Sequence, residues 1–228
     1  MRYLLVCLIV LLISCRNERE LQLPQIDKAE ITEIQDVSAA YLFYDETQPD
    51  SVLLNRKNLI STTNWLVNVD KRLTLKQAIP HIKFLQSKKK SSSHKNKKAK
   101  NYFTCHDLSK NNLGFLEFTD TEFSAIWNDS LIIRNSFPKI PNLILEFDTK
   151  NTVKLFDLFG HNLTNRETIS RKRADEIDQI QSIIKSYSRA ILKFNNQLSF
   201  QEYISIKAMI SQLDLENIEI SKSEFIID

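Results

Sequence analysis

Glycine is nearly missing from this chain: two occur in 228 residues, Gly114 and Gly160, where a share of about 7% is usual. A GxGxxG dinucleotide loop, a GxxxxGK phosphate loop and a GxSxG nucleophile elbow each need glycines clustered within a few residues. None can be built here. Cysteine is as scarce, with Cys7, Cys15 and Cys105. Histidine is limited to His81, His94, His106 and His161, without HExxH or CxxC spacing. No metal site and no cofactor is therefore expected. The chain also lacks a membrane-spanning run, which takes about 20 apolar residues; the uncharged stretch Tyr3 to Ile13 stops at eleven.

That stretch follows Met1-Arg2 and gives way to the polar Arg16-Asn17-Glu18-Arg19-Glu20. A basic start, a short apolar run and a polar continuation have the layout of an export signal. The run ends Leu12-Ile13-Ser14-Cys15, which resembles the lipobox of bacterial lipoproteins. The resemblance implies residues 1–14 as signal peptide and Cys15 as the lipidated first residue of the mature protein. It implies a body outside the cytoplasm, on the cell membrane or outer membrane, with the membrane as partner. Several acyl chains, at about 0.8 kcal/mol per buried CH₂, make such an anchor firm. Residues 15–30 then read as the lipidated end and a polar tether. With Cys7 removed and Cys15 acylated, Cys105 has no disulfide partner within the chain, which leaves a cross-chain disulfide or, as expected, a buried, inert thiol.

Apolar residues make up 42% of the chain, enough for a packed core. Strands are expected at Ala39 to Asp45, Ser51 to Leu54 and Thr62 to Val69. A helix follows over Leu73 to Gln86, with Thr74 and Gln77 spaced as a capping box and Pro80 inside the pattern. Asn101 to Cys105 and Leu113 to Phe118 read as strands, and Glu122 to Trp127 as a short helix or turn. Asn142 to Phe147 reads as a strand and Thr152 to Phe159 is ambiguous. Ile177, Ile180, Ile184 and Tyr187 predict a helix over Glu167 to Ser186. Arg189 to Phe194 reads as a strand. Ser199 and Glu202 cap a helix over Phe200 to Gln212, and a strand closes at Ile218 to Ile220.

Residues 88–100, KKKSSSHKNKKAK, hold Lys88, Lys89, Lys90, Lys95, Lys97, Lys98 and Lys100 and no acid. The whole chain is +3, and without Arg2 and this segment it is −5. Positive charge is thus gathered in one exposed loop, which suits contact with an anionic lipid surface or acidic polymer. An envelope protein is the other expected partner. An exported address and an acidic body both oppose nucleic acid.

The chain also echoes itself. Residues 66–86 (LVNVDKRLTLKQAIPHIKFLQ) and 191–211 (ILKFNNQLSFQEYISIKAMIS) align at an offset of 125 without a gap. Leu73 matches Leu198, Thr74 matches Ser199, Leu75 matches Phe200 and Ile79 matches Ile204. Each copy reads as strand, polar turn, hydroxyl cap, helix and a following strand. The implied fold is α+β: a mixed sheet with helices packed on one side, built from two β-turn-α-β units. Residues 31–135 form the first α+β subdomain, carrying the basic loop, and residues 136–228 the second. This pattern resembles the exported domain of ExbD/TolR-type proteins, which has a strand-turn-helix-strand core. That family keeps a membrane helix with an essential aspartate. The apolar run here has no acid, so no functional residue is carried over.

Chemistry-bearing residues are scattered. Cys105-His106-Asp107 puts three reactive types in a row, yet neighbours in a strand point to opposite faces. A Cys-His enzyme would draw on His81 or His161 instead. Carboxylates pair as Asp45 with Glu46, Glu117 with Asp120, and Asp148 with Asp157, the arrangement a glycosidase needs only across a cleft. Trp65 and Trp127 suit a ligand groove or a core. The leading expectation is a lipid-anchored cell-envelope protein working as a non-catalytic binding or assembly module. The alternative is an envelope hydrolase using His and carboxylates.

Overall fold

Every second side chain of Val37–Tyr44 is small or apolar on one face, and the strand buries Ser38, Ala40 and Leu42 there. The same logic sets the other strands. The computed structural model describes residues 19–94, 96–127, 142–149, 152–157, 167–170, 187–213 and 218–228. In chain order the elements are β1 (Gln25–Ile26), β2 (Val37–Tyr44), β3 (Val52–Asn55), β4 (Asn64–Val69), α1 (Leu75–Ser91), β5 (Asn101–Asp107), β6 (Asn112–Glu117) and β7 (Glu122–Ser124). There follow β8 (Asn142–Phe147), β9 (Thr152–Asp157), β10 (Glu167–Ser170), β11 (Arg189–Asn195), α2 (Phe200–Ser211) and β12 (Glu219–Ile227).

The fold is α+β, with two helices packed against mixed sheets. The strands divide between two six-stranded sheets rather than sharing one. Sheet 1 runs β1-β5-β4-β2-β3, with β6 on β5, and sheet 2 runs β10-β9-β8-β11-β12-β7. In each, a hairpin (β2-β3 or β8-β9) lies beside the central strand that feeds the helix. Val37 to Leu42 pair with Asn64 to Val69, and Asn142 to Phe147 pair with Arg189 to Phe194 in the equivalent register.

The two units meet helix start to helix start. Leu75 N–H donates to Leu198 O at 2.8 Å, and Phe200 N–H to Leu73 O at 2.6 Å. Lys76 N–H donates to Asn196 O at 2.8 Å, and Gln201 N–H to Lys71 O at 3.2 Å. Thr74 and Ser199 form a bridge between them. Each bond maps onto its partner through the offset of 125, so a local two-fold axis passes between Thr74 and Ser199. The first N–H groups of a helix have no partner within it. Here the sister unit accepts the first two. The third is held by the cap: Gln77 N–H donates to Thr74 Oγ1 at 3.3 Å, and Glu202 N–H to Ser199 Oγ at 3.2 Å. Both capping boxes are closed.

One core runs through both units. Phe103 of β5 stacks on Phe118 at 3.8 Å between centroids and meets Phe200 and Tyr203 of α2 edge-on at 5.2 and 6.2 Å. Tyr203 also packs on Phe194 of β11, at 5.1 Å. Helix α2 thereby touches both sheets. On α1, Gln86 Nε2 donates to Thr121 O at 2.9 Å, just before β7. Strand β7 falls within residues 31–135 yet pairs with β12 of sheet 2. Among the described residues no helix is long and apolar enough to cross a membrane.

Four local expectations need correction. The tether 15–30 is part of the fold from Gln22 onward, because β5 leaves β4 after Phe103 and the amino-terminal segment fills the gap. Lys71 N–H donates to Gln22 O, His106 N–H to Pro24 O and Leu108 N–H to Ile26 O, at 2.8, 2.8 and 2.9 Å. Glu167–Ser170 is a strand on β9 rather than the start of a helix, since the β-branched Thr168 and Ile169 gain a ladder there; residues 171–186 lie outside the described residues. Glu122–Ser124 is a strand, not a helix or turn. Helix α1 runs through Pro80 and on to Ser91, taking Lys88, Lys89 and Lys90 into its last turn, where the helix dipole favours cations.

Candidate ligand cleft and basic groove

The amino-terminal segment, β6 and the end of α2 enclose a cavity of about 410 Å³. Ile26, Ala29 and Phe115 face Ala208, Ile210 and Ile220 across it, and Lys207 stands in its wall. The segment is fixed there by Asp107. Its carboxylate accepts Ala29 N–H at 2.9 Å, Lys28 N–H at 3.2 Å, and Ser109 N–H and Oγ at 2.9 and 2.7 Å. These bonds, the Ser109 hydroxyl first, hold the Asp107 pKa down to about 2. Gly114 of β6 makes room for the segment: a Cβ there would lie 2.4 Å from the Ala29 Cβ. The near-absent residue stands where only a hydrogen side chain fits.

Behind the cavity wall lies a buried ionic cluster. Glu224, 1% exposed, accepts Tyr203 Oη at 2.7 Å and Lys207 Nζ at 2.5 Å. Burial first, then the Glu224 charge, raises the Tyr203 pKa well above its ordinary value. A bulge in β12 opposite Ala190 and Leu192 sets Glu224 against α2. The sister unit has Ala78 and Ile82 at the matching helix positions, and Phe103 where Glu224 pairs, all buried. The repeat thus replaces an apolar trio with a charged one on the cleft side. Buried charges are costly unless paired, and this one is paired on both oxygens. An ammonium has three donors, and the Lys207 side chain is still 23% exposed. The cleft therefore offers apolar walls and the anchored Lys207 cation, with the charged Asp27, Lys28, Glu30 and Glu117 also in its lining, a setting for binding.

The lysines of residues 88–100 do not act as one patch. Lys89 is turned inward: its Nζ donates to Lys100 O and Asn101 Oδ1, both at 2.9 Å, and lies 5.0 Å from the Trp65 ring. Burial lowers its pKa to about 8. Lys100 is paired with Glu117 at 2.8 Å. Lys88, Lys90, Lys97 and Lys98 are exposed, and Lys95 lies outside the described residues. Lys88 instead joins Arg19, Arg56 and Lys57 around a groove of about 550 Å³ beside β3, floored by Leu53, Leu54 and Leu59. The expected loop missed Arg56 and Lys57, a basic pair too short to stand out as a charge run.

Cys105 is fully buried in β5 and desolvation pushes its thiol up to about 12, the inert state expected. His106 is on the neighbouring face, half-exposed. His81 Nε2 is bonded to Asp50 at 2.7 Å, away from the thiol's strand. His161, Cys15 and the signal residues 1–14 lie outside the described residues. Of the expected carboxylate pairs, Glu117 alone lines the cleft among the described residues, bonded to Lys100, and the Asp157 side chain lies outside them. Asp45 takes Arg19 at 3.5 Å, Glu46 the Tyr44 hydroxyl at 3.0 Å, Asp120 Lys222 at 2.9 Å and Asp148 Lys154 at 3.8 Å. Trp65 is core, its Nε1 donating to Ile60 O at 2.7 Å. Trp127 packs on Phe225 at 4.8 Å with Lys193 over its ring. Among the described residues no group of three or more His, Cys, Asp or Glu is placed to hold a metal ion. No protein family, curated protein or solved structure matches the chain.

Proposed function

We propose that this chain is a lipid-anchored cell-envelope protein whose two-unit body serves as a non-catalytic binding or assembly module. The observation that carries the reading is the cleft between the units. Its apolar walls surround Lys207, a cation held by Glu224, its rim carries the charged Asp27, Lys28, Glu30 and Glu117, and among the described residues no histidine lines it. Pockets that orient ligands through a few fixed polar groups in an apolar lining have this make-up. Among the described residues the cleft lining has carboxylates but no cysteine and no histidine to act as a nucleophile-base pair. The anchoring half of the proposal rests on the Leu12-Ile13-Ser14-Cys15 motif.

Crosslinking in the native envelope tests it. A photoreactive residue at Gln212, on the cleft rim, is expected to give an adduct of defined mass that Lys207→Met removes. The same probe at Lys110, on the exposed β5-β6 turn, is expected to give none. Equal adducts from both positions would refute the cleft as the binding site. Cys15→Ser is expected to abolish membrane fractionation, and unchanged fractionation would refute lipidation.

A further inference from the structure

The basic groove has a definite relation to the start of the fold. Arg19, Arg56, Lys57 and Lys88 line it, and none of its other lining residues is acidic. The Arg56 guanidinium is held over the Phe84 ring, 5.0 Å from its centroid. Arg19 shares its charge with Asp45 at 3.5 Å. Lys57 and Lys88 have no carboxylate partner among the described residues, and both are exposed. Arg19 is four residues from Cys15, and an extended chain covers at most about 3.6 Å per residue. A lipidated Cys15 would thus keep the groove at most about 15 Å from the headgroups, under two Debye lengths of about 8 Å, and let it close to direct contact.

We infer that this groove seats the phosphate of an anionic phospholipid and so fixes which side of the body faces the membrane. The inference rests on the proposed lipid anchor and adds the orientation of the body to it. Charge complementarity favours this occupant: four cations and no acid line one groove, and without them and Arg2 the chain sums to −2. The groove's leucine floor suits the glycerol and upper acyl carbons that lie beneath a headgroup phosphate. Anchoring by one lipid-modified end together with a basic surface is a two-signal arrangement. The cleft between the units, lined by different residues, stays free for a partner.

The test uses the full lipidated chain in vesicles of phosphatidylcholine alone or with phosphatidylglycerol added. Flotation reports anchoring, and acetylation of Lys57 and Lys88, with Lys110 as internal reference, reports the groove. The protein is expected to float with both vesicles. Lys57 and Lys88 are expected to react several-fold more slowly on phosphatidylglycerol vesicles only. High salt is expected to restore the rate, as is Arg56→Gln with Lys88→Gln read at Lys57, since each cation contributes about fivefold to such contact. Flotation with equal acetylation on both vesicles would overturn the groove and leave the anchor standing. Failure to float would overturn the anchor, and the inference with it. Equal protection by dissolved inorganic phosphate or polyphosphate would show a soluble ligand in place of the lipid.

Discussion

Removing the Lys207 ammonium leaves Glu224 in the core with one hydrogen bond instead of two. Glu224 is 1% exposed and Lys207 has 23% of its side chain exposed. Breaking a buried ion pair from one side costs about 3–5 kcal/mol, and the partial exposure of Lys207 puts Lys207→Met at the lower end, near 3 kcal/mol. Glu224→Met strands a cation that can still turn toward the cleft, so about 2 kcal/mol is expected. The double variant restores an apolar pair like that of the sister unit. It still leaves the buried Tyr203 hydroxyl without its acceptor, so it is expected about 1–3 kcal/mol below the wild type, well short of the sum of the singles. Urea unfolding followed by the fluorescence of buried Trp65 measures all four corners of the cycle. If both singles cost under about 1 kcal/mol, or if the double costs as much as the singles combined, the two charges are not coupled and the ionic cluster is not what it has been taken to be.

Gly114→Ala is expected to lose about 1–3 kcal/mol, because its Cβ meets Ala29 at 2.4 Å; hydrogen exchange should show the loss concentrated in residues 22–31. Asp107 titrates near 2 in the fold, below its unfolded value, so the unfolded chain takes up the proton first. Its contribution is complete above about pH 5 and disappears as pH falls toward 2. Urea midpoints across that range should fall less steeply in Asp107→Asn. Cys105 should resist a thiol reagent at pH 8 in the native protein and react fully in urea, given its burial. Thr74→Ala and Ser199→Ala should each cost about 1 kcal/mol, and their combination should depart from the sum because the two caps face each other.

What could be read from the chain was local. The strand-turn-cap-helix pattern repeated at 125 residues depends on capping and periodicity within about twenty positions, and both capping boxes stand where read, although the first helix begins at Leu75 rather than Leu73. Sheet partition could not be read in this way, because pairing is a long-range choice: β7 joins a strand a hundred residues later. The amino-terminal segment looked like tether since Gln22, Gln25, Asp27 and Lys28 are polar, yet Pro24, Ile26 and Ala29 beside them are buried. The ionic cluster was invisible for the same reason, with Lys207 and Glu224 on separate elements. The signal that could have found it was the repeat itself, which aligns Lys207 with Ile82. In the basic run, sequence could not tell Lys89, capped by two carbonyl oxygens, from Lys88, which is free to face solvent.

The reciprocal bonds at Thr74 and Ser199 also bear on how such a protein can be cut. A half expressed alone would expose two amide groups at the start of its helix, together with the aromatic faces of Phe103 or Tyr203, and the second half would also lose β7 from its sheet. Neither half is a self-sufficient building block, however alike the two look on paper.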